Sequence, residues 1–415
     1  MTPKIKLRID QIRRGEIPKG YIRTVSGISP TDWKRYTFGD IYTERKEPGS
    51  EELPLLMVSI HSGVSDGEVD EEDLPKKVKR IADKSQYKKA VSGDLVFNMM
   101  RAWQGAIGTV RTTGMVSPAY IVAEPNDTVY PLFMDYYTRT PQMINQIDRQ
   151  SYGVTDFRKR LYWDSFIPIG CILPPVAEQQ KIAAILTTQD KVIELKEKRL
   201  AEKQRQKKYL MQQLLTGKKR LPGFNGAWKV DRLGKLFLER KETNYEGLQM
   251  LAITGAQGII PRKELDLKDN SSEDKSKYLR VCVGDIGYNT MRMWQGISAY
   301  SDYEGIVSPA YTILKPSSSI NAKYFAYLFK TPEIIFLFYR FSQGLVDDTR
   351  NLKYENFKKI KVCYPPDTKE QTAIAEVLSA ADREIGLLRQ DIEQEKQKKK
   401  ALVQLLLTGI VRVKT

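Results

Sequence analysis

At 415 residues the chain is long enough for two or three independent cores, yet no apolar stretch approaches the roughly 18 residues that a membrane span needs. Lysine and arginine outnumber aspartate and glutamate by 67 to 51, a net charge of +16 that suits a polyphosphate partner, although ribosome-associated or merely soluble proteins carry such an excess too. One histidine, His61, and three scattered cysteines, Cys171, Cys282 and Cys363, exclude a histidine-based triad, a zinc site and a disulfide framework, and the cysteines read as buried thiols in a reducing compartment.

The start, Met1-Thr2-Pro3-Lys4-Ile5-Lys6, lacks the apolar core of a secretory signal, so a cytoplasmic location is expected. After an extension over 1–30, a module over 31–175 opens on Trp33, Gly39 and Glu44-Arg45-Lys46. Its β-rich runs, Leu95 to Asn98, Gly108 to Arg111 and Ala119 to Ala123, are separated by Gly, Pro and Asp turns, and the spacing predicts a helix from Pro131 to Gln146. Pro174-Pro175 then introduces a helix over 176–217 that ends in Leu214-Leu215-Thr216-Gly217.

The same order is then written again. Gly93-Asp94-Leu95-Val96-Phe97-Asn98-Met99-Met100-Arg101-Ala102-Trp103-Gln104-Gly105 returns without a gap as Gly284-Asp285-Ile286-Gly287-Tyr288-Asn289-Thr290-Met291-Arg292-Met293-Trp294-Gln295-Gly296. Val116 to Tyr120 returns as Val307 to Tyr311, Gly153 to Leu161 as Gly344 to Leu352, and Pro174-Pro175 as Pro365-Pro366. Upstream, Trp228, Gly234 and Glu239-Arg240-Lys241 restate the entry, giving a second module over 218–366 with a helix expected from Asn321 to Phe338. A second long helix spans 367–409, and 410–415 is a tail. A period of about 140 residues plus a helix far exceeds a solenoid repeat, so a whole domain is duplicated.

The long helices carry matched stripes. One is Leu186, Ile193, Leu200, Lys207 and Leu214, with Leu378, Ile385, Ile392, Lys399 and Leu406 in the second copy. The other runs through Ile182, Gln189, Lys196, Lys203 and Leu210 against Ile374, Ala381, Leu388, Glu395 and Leu402. The Lys203/Glu395 contrast points to two helices packing on each other, with Lys203 near an acidic partner. At 1.5 Å per residue each spans roughly 55 to 60 Å, the length of a spacer between domains.

A catalytic constellation is missing from the sequence. Leu173-Pro174-Pro175-Val176 and Tyr364-Pro365-Pro366-Asp367 lack the flanking residues of an adenine-methyltransferase tetrapeptide, and Thr216-Gly217-Lys218-Lys219 lacks the upstream glycine and the hydroxyl of a phosphate loop. Glu71-Glu72-Asp73, without a counterpart in the other copy, reads as solvated surface. No cofactor or metal is expected.

The duplicated order resembles the specificity subunits of type I restriction-modification systems. The likeness rests on the Leu221-Pro222-Gly223-Phe224 to Trp228 entry, the Gly-Asp strand with its Asn-Met-Arg-Ala-Trp-Gln-Gly turn, Pro-Pro followed by Glu-Gln-Gln-Lys-Ile-Ala, and the closing Leu-Leu-Thr-Gly. It implies two mixed α/β (α+β) target-recognition domains separated by two long antiparallel coiled-coil helices with pseudo-twofold symmetry. It further implies that each domain reads half of a bipartite site on double-stranded DNA. The helices, packing through Leu186, Ile193, Leu200, Leu214, Leu378, Ile385, Ile392 and Leu406, would set the gap and dock two adenine-methyltransferase subunits, with restriction subunits outside. The extra residues ahead of Pro18-Lys19-Gly20-Tyr21 depart from that pattern and leave the role of Met1 to Gly15 open.

Modules that read different half-sites should share residues for fold and phosphate and differ where they touch bases. The shared Asn98, Arg101 and Gln104, with Asn289, Arg292 and Gln295, are types suited to base edges and phosphate. Tyr120 and Tyr311 lie in the same frame. Trp103 and Trp294 also read as core aromatics, and Gly-Asp as a β-turn. Arg45-Lys46 and Arg240-Lys241, and the run Arg158-Lys159-Arg160, matched by Arg350, are candidate phosphate contacts, although charge runs are usually only solvated surface. The loops Ile60 to Lys79 and Gln257 to Lys277 differ most and are the expected seat of half-site discrimination. An enzyme with unrecognised catalytic residues and a coiled-coil adaptor without sequence preference are the competing readings.

Overall fold

The computed structural model describes residues 3–24, 27–65, 86–155, 158–255, 258–265 and 274–413. The chain divides into two compact units, Met1–Leu195 with Ile392–Thr415, and Lys196–Asp391. Each unit holds one module and a stretch of both long helices.

The duplication is visible strand by strand. In the first module a four-stranded antiparallel sheet runs in the spatial order Tyr42–Glu44, Tyr120–Pro125, Leu95–Asn98, Ile107–Thr109. The second module repeats it as Phe237–Arg240, Tyr311–Pro316, Ile286–Asn289, Ser298–Tyr300. Even the register is kept, since Tyr120 faces Asn98 and Tyr311 faces Asn289. A further antiparallel pair brings the exit strand of each module beside its entry strand, Gly170–Leu173 on Lys34–Thr37 and Lys361–Tyr364 on Lys229–Arg232. Cys171 is buried as expected, but Cys282 is half-buried and Cys363 exposed, because the Lys361–Tyr364 strand alternates outward at Cys363.

The helix expected from Pro131 to Gln146 is two helices, Pro131–Tyr137 and Pro141–Arg149, and the one from Asn321 to Phe338 is likewise Ala322–Leu328 and Pro332–Phe341. Apolar spacing continues across the break, but proline cannot continue a helix and is pre-formed for starting one, so Thr140-Pro141 and Thr331-Pro332 end one helix and begin the next. Thr140 caps the new start through its hydroxyl, which accepts from the Met143 amide at 3.4 Å.

Aromatic rings fill the first core, with Phe38 stacked on Phe166 at 4.4 Å, and the second, where Phe237, Phe325, Phe329 and Phe357 meet edge-on or tilted. Both cores run into the long helices: Ile182, Leu186, Leu406 and Leu407 join the first, and Leu214, Leu215, Ile374 and Leu378 the second. The long helices, Val176–Leu214 and Thr368–Leu407, are therefore pinned to the modules at both ends of each helix.

Inside each unit the two helices run antiparallel. In the second unit Lys196 meets Asp391 at 2.8 Å, Lys203 meets Glu384 at 2.9 Å and Lys207 meets Asp382 at 2.5 Å, the numbering rising on one helix as it falls on the other. In the first unit Gln189 donates to Glu395 at 2.7 Å and Lys399 pairs with Asp190 at 2.5 Å. The apolar stripe residues Leu186, Ile193, Leu214, Leu378, Ile385, Ile392 and Leu406 are buried, and Leu200 is partly so.

The Glu-Gln pair after each Pro-Pro explains itself at the junctions. Gln179 is fully buried, accepts from the Tyr130 amide at 2.7 Å and donates to the Pro174 carbonyl at 2.9 Å; Gln371 does the same with Asn321 and Pro365. Glu370 is buried and held bidentately by Arg220 at 2.6 and 2.7 Å. Its equivalent Glu178 is held at 2.8 Å by Arg412, which also grips Asp32. Thus the tail after the second helix gives the first unit what the segment after the first helix gives the second. Gly217 and Gly409 turn the chain there at positive φ, +71° and +70°, against Trp228 and Trp33, and a Cβ on Gly409 would come within 2.5 Å of Pro30.

The N-terminal extension joins the same clasp. Its helix, Pro3–Arg13, places Arg8 to donate to the Tyr21 hydroxyl at 2.8 Å and the Ile410 carbonyl at 3.1 Å, while Tyr21 donates to the Gly409 carbonyl at 2.8 Å. Arg412→Ala is expected to destabilise the first unit by about 3 kcal/mol, because it strands the buried Glu178. Calorimetric melting of the variant measures this, and an unchanged melting profile would show that the clasp carries no stability.

Candidate nucleic-acid interface

The repeated Asn-Met-Arg-Ala-Trp-Gln-Gly segment folds the same way twice. Each central strand ends at an asparagine, Asn98 or Asn289, whose side-chain oxygen accepts from the amide two residues on, at 2.9 and 3.0 Å. One turn of 3-10 helix follows, Ala102–Gln104 and Met293–Gln295, closed by Gly105 and Gly296 at positive φ. Ala102 and Met293 point into the cores. The tryptophan lies half-buried across the turn, its indole N–H donating to the carbonyl of Met100 or Met291 at 3.0 Å. The turn therefore holds itself in shape and leaves Arg101 with Gln104, and Arg292 with Gln295, exposed on its outer face. Among the described residues none of these four side chains has a hydrogen-bonding or ionic partner. In the second module Asn289, Met291, Arg292, Trp294, Gln295, Ala310 and Asp347 line an open cleft of about 530 Å³.

The Gly-Asp pair is a structural turn with a second task. Asp94 accepts from the Val91 amide at 2.8 Å and takes the Arg45 guanidinium at 2.7 and 3.2 Å; Asp285 accepts from the Cys282 amide at 2.8 Å and takes Arg240 at 2.7 and 3.1 Å. Both arginines also reach a glutamate two residues on, Glu47 and Glu242. Arg45 and Arg240 are thereby corrected from phosphate contacts to internal braces: their donors are spent on the buried Asp94 and Asp285 and on neighbouring glutamates, and their side chains are only 11% and 9% exposed. Their neighbours Lys46 and Lys241 stay largely exposed, and each pairs with the glutamate two residues before it, Glu44 at 3.4 Å and Glu239 at 2.9 Å.

Tyr120 and Tyr311 also leave the candidate set. Tyr120 is buried in a second core cluster beneath the sheet, and Tyr311 packs against the corresponding cluster of its module, because their side chains fall on the inner face of the strand that pairs with Asn98 or Asn289.

The other recurring segment forms a loop beside the turn. Tyr152 bridges to Arg160 and Gln343 to Asn351, and the chain rejoins the turn through Leu161 N–H to the Met99 carbonyl at 2.9 Å and Leu352 N–H to the Thr290 carbonyl at 2.8 Å. Arg158 is exposed. Arg350 is not free: it pairs with Asp347 at 2.8 Å, donates to the Tyr339 hydroxyl at 2.9 Å and lies 4.1 Å over that ring, which meets Trp294 edge-on. In the first module Lys159 lies over Trp103 directly, 5.0 Å from the ring centroid. A cation thus braces the aromatic layer behind each turn. Among the described residues there is no group of three or more His, Cys, Asp or Glu that could hold a metal, and no helix is long and apolar enough to cross a membrane.

Residues 228–397 match the family model of the type I restriction modification DNA specificity domain. A specificity subunit of a type I restriction enzyme from Methanocaldococcus jannaschii, MjaVIII, is 24% identical over 93% of this chain and 94% of its own length. The chain is thus similar, over most of its length, to type I restriction-modification specificity subunits. A second relative from the same organism, the putative MjaX specificity subunit, is 28% identical over 59% of each chain, so the match spans about three fifths of that relative's length. Two solved specificity subunits share the fold. The HsdS subunit of Thermoanaerobacter tengcongensis is 19% identical with a TM-score of 0.50 over 92% of this chain and 98% of its own. The M. genitalium S subunit is 13% identical with a TM-score of 0.54 over 92% and 97%.

Two features of the turn region escaped the sequence reading. The loop tips carry apolar side chains in the open, Val154 at 93% exposure and Leu345 at 100%, where the sequence drew attention to charge alone. Behind the second turn, Lys330 donates to the Gly296 carbonyl at 2.7 Å. Burial, with the nearby charge of Lys207, pushes its ammonium from the ordinary 10.5 down to about 8. The unfolded chain therefore holds that proton more readily between about pH 8 and 10.5, so the stability of the second unit rises with pH across this window. Lys330→Met is expected to abolish that rise in pH-dependent urea melts; a rise that persists would show that another group causes it. Of the variable loops, 66–79, 257 and 266–273 lie outside the described residues, as do Glu71-Glu72-Asp73.

Proposed function

We propose that this chain is the DNA-sequence-reading subunit of a type I restriction-modification complex, without chemistry of its own. Each module reads one half of a split site on double-stranded DNA. The helix pair sets the unread gap and docks two adenine-methyltransferase subunits, with restriction subunits added outside, and the complex works in the cytoplasm. The observation that carries this reading is the turn presented twice on the same frame, with an exposed guanidinium and a primary amide on its outer face. Arginine reads guanine edges or phosphate, and glutamine reads adenine edges. Lys46, Lys241 and Arg158 supply exposed charge for the phosphate backbone, which positions a protein without specifying sequence. The loop tips at Val154 and Leu345 suit apolar contact with thymine methyl groups or with the walls of a groove.

A purified complex with an adenine methyltransferase tests this by competition binding at several salt concentrations. The expected result is a cognate duplex that resists excess non-specific DNA, together with no modification of DNA by the chain alone given magnesium or S-adenosylmethionine. Binding that any duplex abolishes equally would favour a coiled-coil adaptor, because phosphate contacts alone carry no preference. Modification by the isolated chain would favour an enzyme.

A further inference from the structure

In both long helices the leucine-isoleucine stripe is interrupted by a lysine at a repeat-equivalent position, Lys207 in the first helix and Lys399 in the second. In each unit that lysine is met by the same two partners. Lys399 pairs with Asp190 at 2.5 Å, and Asp190 accepts at 2.7 Å from the hydroxyl of Tyr136, which stands on the module helix Pro131–Tyr137. In the other unit Lys207 pairs with Asp382 at 2.5 Å, and Asp382 accepts at 2.7 Å from Tyr327 on Ala322–Leu328. The tyrosine hydroxyl has a second contact on the same helix as its aspartate, Thr187 at 3.3 Å or Ser379 at 3.2 Å. The lysine also lies against the tyrosine ring, 5.7 Å from the centroid in the first unit and 5.4 Å in the second. Each aspartate therefore ties three things together: its own helix, the opposite helix through the lysine, and the recognition module through the tyrosine.

An apolar residue at the lysine position would pack the stripe without direction. A polar residue there accepts only one register, at a cost in stability. Charge-assisted hydrogen bonds also fix angles that apolar contacts leave loose. A split site is read with a definite gap only if each reader is held at a definite angle on the spacer.

We propose that the Tyr136–Asp190–Lys399 and Tyr327–Asp382–Lys207 triads are positioning groups that orient each recognition module on the helix pair and so make the gap between half-sites strict. This rests on the functional reading above. The triads touch no base in it, and they act through the modules.

The test uses the complete complex with its adenine methyltransferase and three sets of duplexes, carrying the cognate gap, one base pair more and one base pair fewer. The variant Tyr136→Phe with Tyr327→Phe removes only the two hydroxyls and keeps the rings in place. Methylation at the altered gaps, relative to the cognate gap, is expected to rise roughly tenfold, the worth of one charge-assisted hydrogen bond, while the cognate rate stays within about twofold. Lys207→Met with Lys399→Met should relax the gap likewise, and Lys207→Arg with Lys399→Arg should restore it. A merely structural role would lower the melting temperature and leave the gap ratio unmoved. If both double variants keep the wild-type ratio, the proposal is overturned while the functional reading stands. A wild-type complex that methylates no split site would overturn both.

Discussion

Asp285→Ala is expected to cost the second unit about 3 to 5 kcal/mol, a large share of the 5 to 15 kcal/mol that holds a typical domain together. The carboxylate is buried and takes both the Arg240 guanidinium and the Cys282 amide, so its loss strands a buried cation and an amide at once. The pair is a poor source of net stability despite this sensitivity, since bringing two charges out of water costs nearly as much as their attraction returns. Arg240→Met combined with Asp285→Leu should therefore be milder than Asp285→Ala alone, with a penalty below about 2 kcal/mol. Urea melts of the two proteins, followed by tryptophan fluorescence, decide between the cases. Equal penalties for the single and the double variant would mean that the strand-to-turn brace is not an ion-pair effect.

The second large effect concerns recognition. Arg292→Ala, and separately Arg101→Ala, is expected to weaken binding of the complex to its cognate duplex by about 1 to 3 kcal/mol, roughly ten- to a hundredfold, and to relax the base preference within one half-site only. Melting temperatures should stay put, because both side chains are exposed and lack an internal partner among the described residues. Lys241→Ala supplies the contrast. As a phosphate contact it should weaken cognate and non-cognate duplexes alike and reduce the salt slope by about one. An Arg292→Ala complex that loses affinity uniformly for all duplexes would move this arginine into the phosphate class.

The frame of the molecule was legible because a duplicated sequence is its own control. The gapless return of Gly93 to Gly105 as Gly284 to Gly296 marks the same strand and the same turn in both modules. Helix ends were legible through Gly217 and Gly409, where a positive φ and a neighbouring tryptophan both demand glycine. Three features were not legible, each for a physical reason. Periodicity cannot register a Thr-Pro break when the apolar face resumes in phase, as at Pro141 and Pro332. Arg45 and Arg240 look like surface charge because the aspartate that buries each of them lies far along the chain and is brought close only by folding. Lys207 and Lys399 look like flaws in a stripe until the aspartate of the opposite helix is seen across from them.

The candidate site sharpened in the same way. Recurrence marked the candidate segments but could not separate internal braces from outward-facing side chains, since both recur. Exposure and hydrogen bonding separate them: Arg45, Arg240 and Arg350 hold the turn region together, and Arg101, Gln104, Arg292 and Gln295 face outward.

The central claim is that two modules on one spacer read one split sequence. Single-molecule methylation mapping of a host that carries this chain with its methyltransferase and restriction subunits tests it most directly. The predicted result is adenine methylation at a two-part motif with a fixed, unread gap; methylation of one continuous motif would contradict the two-ended account.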